Sequence, residues 1–214
     1  DHRLGEALEV LEREIDEHGD LIRERYPKEE IVRRNSGYAL DMLVDADPMA
    51  LPPLICGSEG TLAFVTEAKL NLEPVPAENL LVCAHFETLD DALNATVATV
   101  AHEPGAVELM DRRILDLTKE HVEQKKNRFF VEGEPGAILV IELYGDSVED
   151  CERQANRVIG DLEERNLGYA FPLVYPPKDA RVWQLRKAGL GILMGVKGDT
   201  KPVTVVEDTA VALG

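Results

Sequence analysis

Residues 80–111, LLVCAHFETLDDALNATVATVAHEPGAVELMD, contain a strand, a helix and a second strand in succession. The apolar run LLVCAHFE predicts the first strand, and AVELMD predicts the second. Between them, LDDALNATVATVAH predicts a helix, with Leu89 as a candidate hydrophobic staple and Asp90 as an acidic residue in the first turn. This strand-helix-strand unit sets the pattern for the segments that follow.

The same alternation continues toward the C-terminus. We predict strands over 137–145 and 169–175, and helices over 112–124, 147–166 with Ser147 as the cap, and 178–194. Strands and helices that alternate at this length predict an α+β fold, in which an antiparallel or mixed sheet carries helices on one face in a ferredoxin-like sandwich.

A long helix is predicted at the N-terminus. Apolar residues recur at helical spacing among Glu and Arg from Leu4 to Arg25, which is typical of an amphipathic helix, either continuous or broken at Gly19. Pro27 is expected to stop it.

Two segments connect this helix to residue 80. DADPMALPP at 45–53 is typical of a loop. LICGSEGTLAFVTEAKLNLEPVP at 54–76 predicts a short strand, a glycine-rich turn and a further strand. Pro74 and Pro76 end this pattern, so we expect a domain boundary near residues 73–79.

The composition is that of an acidic globular protein. The 41 Asp and Glu residues against 23 Lys and Arg give a formal charge of −18, which repels nucleic-acid phosphates and anionic lipids. Such a surface is typical of a protein that stays soluble in a salty cytoplasm. An acidic protein without any adaptation to salt is an equal alternative. Because the first residues are charged where a signal peptide is apolar, a cytoplasmic location is expected.

The cysteines and histidines do not predict a metal site. Cys56, Cys83 and Cys151 are too far apart for a disulfide framework or a Cys-x-x-Cys site, and we expect buried thiols. The histidines lack the spacing of metal ligands and are interpreted as ordinary polar positions. They are His2, His18, His85, His102 and His121.

The segment GSEGTL at 57–62 is the most informative about chemistry. Two glycines allow the backbone to approach a ligand closely, and the exposed N–H groups of such a turn can bind a pyrophosphate or a flavin edge. On the motif alone, a plain hairpin connection is the commoner explanation. A P-loop nucleotide site is disfavoured because no Lys followed by Ser or Thr stands at the required spacing.

Five segments, in order along the chain, resemble one family. GSEGTLAFVTEAKLNLEPVP at 57–76 resembles the segment that closes the FAD-binding domain of FAD-linked oxidases and dehydrogenases of the vanillyl-alcohol-oxidase (PCMH) type, which include glycolate oxidase, D-lactate dehydrogenase and D-2-hydroxyglutarate dehydrogenase. NSGYAL at 35–40 resembles the Gly-Tyr element that precedes it. ELMD at 108–111, WQLR at 183–186 and PVTVVEDTAV at 202–211 resemble segments of the family's cap domain.

The resemblance implies two domains and a cofactor. Residues 1–76 would form the C-terminal portion of a PCMH-type FAD-binding domain, and residues 77–214 a truncated ferredoxin-like cap domain on the substrate side. FAD would contact the Gly-Tyr element, the turn and the start of the following strand. The residues assigned to this contact are Asn35, Ser36, Gly37, Tyr38, Gly57, Ser58, Glu59, Gly60, Thr61, Leu62, Ala63 and Phe64.

The resemblance also assigns a substrate ligand. Arg186 would bind the substrate carboxylate, because a guanidinium donates two parallel charge-assisted hydrogen bonds that a lysine cannot reproduce. A surface arginine on an amphipathic helix is the equal alternative. Trp183, one helical turn earlier, is expected in the core rather than in a substrate wall.

Several elements of the family are expected outside this chain. The loop that binds the FAD pyrophosphate would precede residue 1, and a His-x-Gly-Asp-Gly-Asn-x-His element with metal ligands and the base would follow residue 214. We therefore expect an internal fragment that has no catalytic residue, is inactive alone and retains little FAD. Two departures are Ala63, where the family usually has glycine, and the longer connection at 45–53.

The reaction implied for the intact enzyme is oxidation of a 2-hydroxy acid by hydride transfer to flavin N5. Its partners would be a small hydroxy acid and an electron acceptor, either a quinone or an iron–sulfur cluster outside this chain, as in large bacterial members with a fused iron–sulfur half. Peripheral association with the inner membrane and a homo-oligomer stay open, and nucleic acid is not expected. The alternative is a non-catalytic ferredoxin-like binding or assembly module, against which GSEGTLAFVTEA and Trp-x-x-Arg argue.

Overall fold

The computed structural model describes residues 2–28, 30–31, 37–44, 46, 51–199, 202 and 210–213. The chain divides into two compact units, one made of Asp1–Leu72 with Thr204–Gly214 and the other of Glu73–Val203. Asn35 and Ser36, together with most of the segment 202–211, lie outside the described residues.

The described part of the first unit contains three helices. The predicted N-terminal helix is confirmed as α1 (His2–Arg25), which continues through Gly19 and ends before Pro27. Two short helices follow, α2 (Asp41–Val44) and α3 (Leu51–Ile55). Their small shared core consists of Ile15, Ile22, Leu43 and Leu54.

The prediction for residues 51–76 is wrong in its secondary structure. The segment expected as a loop and a short strand forms α3, because prolines are tolerated in the first turn of a helix, where N–H groups have no intrahelical acceptor. The expected second strand lacks regular structure, and Phe64 and Leu72 are 94% and 91% exposed. A strand requires a hydrogen-bonded neighbour, and no described residue pairs with this segment. Cys56, expected to be buried, is exposed.

The second unit is built on a four-stranded antiparallel sheet. Its strands are β1 (Glu78–Phe86), β2 (Ala106–Asp111), β3 (Ala137–Gly145) and β4 (Leu173–Val174), in the order β2-β3-β1-β4. With a helix after β1 and another after β3, this is the predicted ferredoxin-like split β-α-β arrangement. The α+β class is confirmed, although β4 is shorter than the seven residues expected.

One face of the sheet is covered by α4 (Leu89–Val100) and α6 (Val148–Glu164), which pack small and aliphatic side chains against β1 and β3. Both helices begin with a side-chain cap. The Thr88 hydroxyl accepts a hydrogen bond from the N–H of Asp91 at 3.1 Å, and Ser147, the predicted cap, accepts one from Asp150 at 3.2 Å.

The opposite face is covered too, which corrects the prediction of helices on one face. It carries α5 (Arg112–Lys119), a 3₁₀ turn (Lys125–Arg128) and α7 (Asp179–Met194). Leu115 of α5 and Val182 and Leu185 of α7 are buried against the sheet. The physical reason lies in β1 and β3, since these strands are apolar at nearly every position and so have two faces to cover.

Candidate functional site

The glycine-rich turn of the first unit is held by its own hydrogen bonds. The buried Ser58 hydroxyl donates to the carbonyl of Ile55 at 2.9 Å, and the Thr61 hydroxyl donates to the carbonyl of Ser58 at 2.6 Å. Glu59 and Gly60 have φ values of 50° and 74°. Left-handed backbone at two successive residues turns the chain sharply, so this turn is a defined conformation.

The structure brings the Gly-Tyr element to this turn. The Tyr38 hydroxyl lies 2.9 Å from Thr61 Oγ1, and because the Thr61 proton is donated to Ser58, Tyr38 is the donor in this contact. The carbonyl of Tyr38 accepts a hydrogen bond from the Tyr26 hydroxyl at 2.6 Å. Two segments assigned to one cofactor from sequence are therefore joined directly.

The outer side of the turn fits an acceptor-rich ligand. A Cβ placed on Gly57 or Gly60 would meet no described atom within 4 Å. Among the described residues, the backbone N–H groups of Glu59 and Gly60 have no hydrogen-bond acceptor. Two neighbouring amide donors without a described acceptor are the groups that could bind the carbonyl or phosphate oxygens of FAD.

Arg186 lies in the second unit, on α7, and is paired with Glu108 of β2. Its Nε and Nη2 atoms both donate to Glu108 Oε2, at 3.0 Å and 2.6 Å. The side chains of Arg186 and Glu108 are 44% and 35% exposed. The pair joins the ELMD and WQLR segments, which are 78 residues apart in sequence.

The described residues use less than half of the hydrogen-bonding capacity of Arg186. A guanidinium has five N–H donors, and Glu108 takes two of them. The other three, on Nη1 and Nη2, have no partner among the described residues. This edge of the guanidinium can therefore bind a carboxylate by donating two parallel hydrogen bonds to it, a geometry that arginine provides and lysine does not.

The position of α7 is fixed by polar contacts with the 3₁₀ turn. The buried Asn127 donates to Gln184 Oε1 at 3.1 Å and accepts from Arg181 Nε, also at 3.1 Å. The Arg181 guanidinium lies over the ring of Phe129, 4.5 Å from its centroid. Trp183 packs against the core of this face, as predicted.

His85 is a structural residue that the sequence interpretation did not identify. It is fully buried in β1, and its Nε2 accepts a hydrogen bond from the N–H of Glu132 at 3.1 Å. Its Nδ1 lies 2.7 Å from the carbonyl oxygen of Cys83 and donates to it, so the ring is neutral. Burial lowers the pKa of His85 below its usual value. Its only signal in sequence is a polar residue inside an apolar strand.

The Cys83 thiol is buried and chemically inert. Burial raises the pKa of the Cys83 thiol to about 12, which keeps it protonated and unreactive. In the part of the chain that the structure describes, no three His, Cys, Asp or Glu side chains are grouped so as to hold a metal ion. The described helices include none with the length and apolar composition required to cross a bilayer.

The second unit is an α+β domain that carries the Arg186–Glu108 pair, and the first unit carries the glycine-rich turn joined to the Gly-Tyr element. Residues 75–213 match the family described as FAD linked oxidases, C-terminal domain, and the chain belongs to this family. The family resemblance stated from the sequence is therefore confirmed.

Individual relatives are dehydrogenases of hydroxy acids. The chain is 30% identical, over 91% of its length, to the D-2-hydroxyglutarate dehydrogenase of Pantoea ananatis, and 31% identical, over 98%, to that of Pseudomonas putida. It is 27% identical, over 65% of its length, to the mitochondrial D-lactate dehydrogenase [cytochrome] of Arabidopsis thaliana. The matched regions are 20%, 21% and 24% of these proteins, so the chain spans about a fifth to a quarter of each.

Proposed function

We propose that this chain is part of an FAD-dependent dehydrogenase that oxidises a 2-hydroxy acid, with D-2-hydroxyglutarate as the first candidate and D-lactate and glycolate as alternatives. Family membership and the names of the relatives support the reaction class. The observation that carries the assignment of a site is Arg186, whose guanidinium is exposed and paired with Glu108 on one side. Its three other N–H donors have no partner among the described residues.

In this proposal Arg186 binds the carboxylate next to the reacting carbon. Two parallel charge-assisted hydrogen bonds fix both the position and the plane of that carboxylate, and thereby the direction of the Cα–H bond. The proposal assigns no described residue as the base that removes the hydroxyl proton.

The turn and the Gly-Tyr element would hold the cofactor. Amide groups of Glu59 and Gly60 would donate to oxygen atoms of FAD, while Tyr38 and Thr61 keep the turn in its conformation. The family resemblance also assigns contact with FAD to Ala63, Phe64, Asn35 and Ser36. When bound, the flavin supplies a hydride acceptor at N5.

The division into domains is also part of the proposal. Residues 1–76 would belong to the FAD-binding domain and residues 77–214 to the cap domain. The compact unit Glu73–Val203 supports a boundary near residue 76 but not the extension of the cap domain to residue 214. Because the chain spans about a fifth of its D-2-hydroxyglutarate dehydrogenase relatives, we propose that it does not turn over substrate alone. An iron–sulfur cluster or quinone would take the electrons.

The reaction class is tested on the full-length protein that contains this chain. After purification, the visible flavin spectrum is recorded without oxygen, before and after addition of D-2-hydroxyglutarate, D-lactate or glycolate. We expect bound flavin and its bleaching by at least one acid, with D-2-hydroxyglutarate the most effective. The L-enantiomers of the first two acids serve as controls. A protein without flavin, or a flavin that no 2-hydroxy acid reduces, would contradict the proposal.

A further inference from the structure

Glu108 restricts the motion of an otherwise flexible side chain. Arg186 has four rotatable side-chain bonds and is 44% exposed, so without a partner it would sample many rotamers. Both of its contacts with Glu108 go to one oxygen, Oε2. Donation from Nε and Nη2 to a single acceptor fixes the plane of the guanidinium, and the edge formed by Nη1 and the outer N–H of Nη2 points away from Glu108.

The backbones at both ends of this ion pair are fixed. Glu108 lies in the middle of β2, where it is in register with Val140 of β3. Arg186 follows Leu185, which is fully buried against the sheet, and Gln184, which is bonded to Asn127. A change in the length of the acidic side chain therefore cannot be compensated by movement of either backbone.

We propose that Glu108 is a positioning residue, which holds the Arg186 guanidinium so that its free edge receives the substrate carboxylate. This inference rests on the proposed function, in which Arg186 is the substrate ligand. A side chain ordered before binding loses less entropy when the substrate arrives, so the expected effect of Glu108 is on substrate affinity.

Glu108 should favour substrate binding by orienting Arg186 and oppose it through its own negative charge. Two conservative variants separate these two effects. Glu108→Asp keeps the negative charge but shortens the side chain, so the two-donor contact with Arg186 is lost. Glu108→Gln removes the charge but keeps an oxygen acceptor at the same distance. If Glu108 acts by orientation, the Asp variant is impaired and the Gln variant is not. A purely electrostatic role would leave the Asp variant unchanged and lower KM in the Gln variant, because the charge that repels the substrate carboxylate is gone.

The experiment measures kcat and KM in the full-length flavoprotein, with whichever of D-2-hydroxyglutarate, D-lactate or glycolate best reduces its flavin. For Glu108→Asp we expect KM to rise about fivefold with kcat nearly unchanged, the size expected for a half-exposed ion pair that affects binding alone. Glu108→Gln should stay within about twofold of the original KM. Glu142→Gln is the matched control, because Glu142 lies on the same sheet face and bonds Asn79 and Tyr144 instead.

The same variants in an Arg186→Ala background complete the test. We expect the Glu108→Asp effect to vanish there, because Glu108 acts through Arg186. An unchanged KM in Glu108→Asp, an effect that persists without Arg186, or loss of flavin from the Asp variant would overturn the positioning role alone. An unchanged KM in Arg186→Ala, or a flavin that none of the acids reduces, would overturn the proposed function and this inference together.

Discussion

His85 and Tyr169 both bind the backbone of Glu132, one at its N–H and the other at its carbonyl. His85 Nε2 accepts a hydrogen bond from the N–H of Glu132, and the Tyr169 hydroxyl donates to the Glu132 carbonyl at 3.1 Å. The two rings meet edge to face, 5.9 Å apart. A protonated imidazole has no acceptor nitrogen, so this arrangement requires neutral His85.

Stability should therefore fall in mild acid. The pKa of His85 is lowered in the folded chain, mainly by burial, and keeps its usual value near 6.5 in the unfolded chain. Below that pH the unfolded chain binds more protons than the folded chain. The contribution of neutral His85 to the free energy of unfolding is therefore complete above that pH and is lost as the pH falls. We expect a slope approaching about 1.4 kcal/mol per pH unit from this group, measured by urea unfolding between pH 7.5 and pH 5.

Two variants attribute this slope to His85. His85→Phe should be less stable at pH 7.5, because the N–H of Glu132 loses its acceptor, but its stability should depend less on pH. His18→Gln, at an exposed position of α1, should keep the original slope. An unchanged slope in His85→Phe would refute the explanation.

Residue roles could be predicted from sequence only where a motif marked them. Arg186 was assigned from WQLR, but its partner Glu108 is 78 residues away, and the ion pair follows from the packing of α7 on β2. His85 has no motif, because its role depends on a loop 47 residues later in the chain. The contact between Tyr38 and Thr61 is likewise a product of folding.

The start of β3 depends on a close backbone approach. Gly136 precedes the strand and donates its N–H to the carbonyl of Phe86 at 2.8 Å. A Cβ at Gly136 would lie 2.0 Å from the carbonyl oxygen of Glu87, which is backbone and cannot move aside cheaply. Only glycine lets the two chain segments meet at this corner of the sheet.

Gly136→Ala should therefore destabilise the chain by about 2–4 kcal/mol, as expected for a steric clash in a packed region. Gly160→Ala is the matched control, because Gly160 lies in α6 and a Cβ there would meet no described atom within 4 Å. That variant should gain up to about 1 kcal/mol from the higher helix propensity of alanine. Urea unfolding distinguishes the two, and equal stability of Gly136→Ala and the original chain would contradict the clash.

Elements with a clear local pattern were the predictable ones. The strands β2 and β3 were predicted with their observed bounds, and α6 with its Ser147 cap, because alternation, helical spacing and capping are local properties. The segment 54–76 has the alternation of a strand but no pairing partner among the described residues. Whether such a segment pairs depends on the rest of the fold, which the local pattern does not contain.

At the scale of the whole molecule, the two units carry different parts of the proposed function. The first unit holds the turn assigned to FAD, and the second holds the arginine assigned to the substrate. The order of strands and helices predicted the sheet of the second unit but not the helices on both of its faces. Helices cover the second face because that face of the sheet is still apolar after α4 and α6 have packed on the first.

The proposed function depends on Arg186 binding the carboxylate of a 2-hydroxy acid that reduces the flavin. The most direct measurement is the apparent dissociation constant of that acid, obtained from the rate of anaerobic flavin reduction at increasing acid concentration in the full-length protein. We expect Arg186→Ala to weaken binding about 100-fold, the cost of removing two charge-assisted hydrogen bonds, and Arg186→Lys to restore little of it. Arg157→Ala, an exposed arginine of α6, should bind normally. Equal affinity in Arg186→Ala and the original protein would rule out Arg186 as the ligand of the substrate carboxylate.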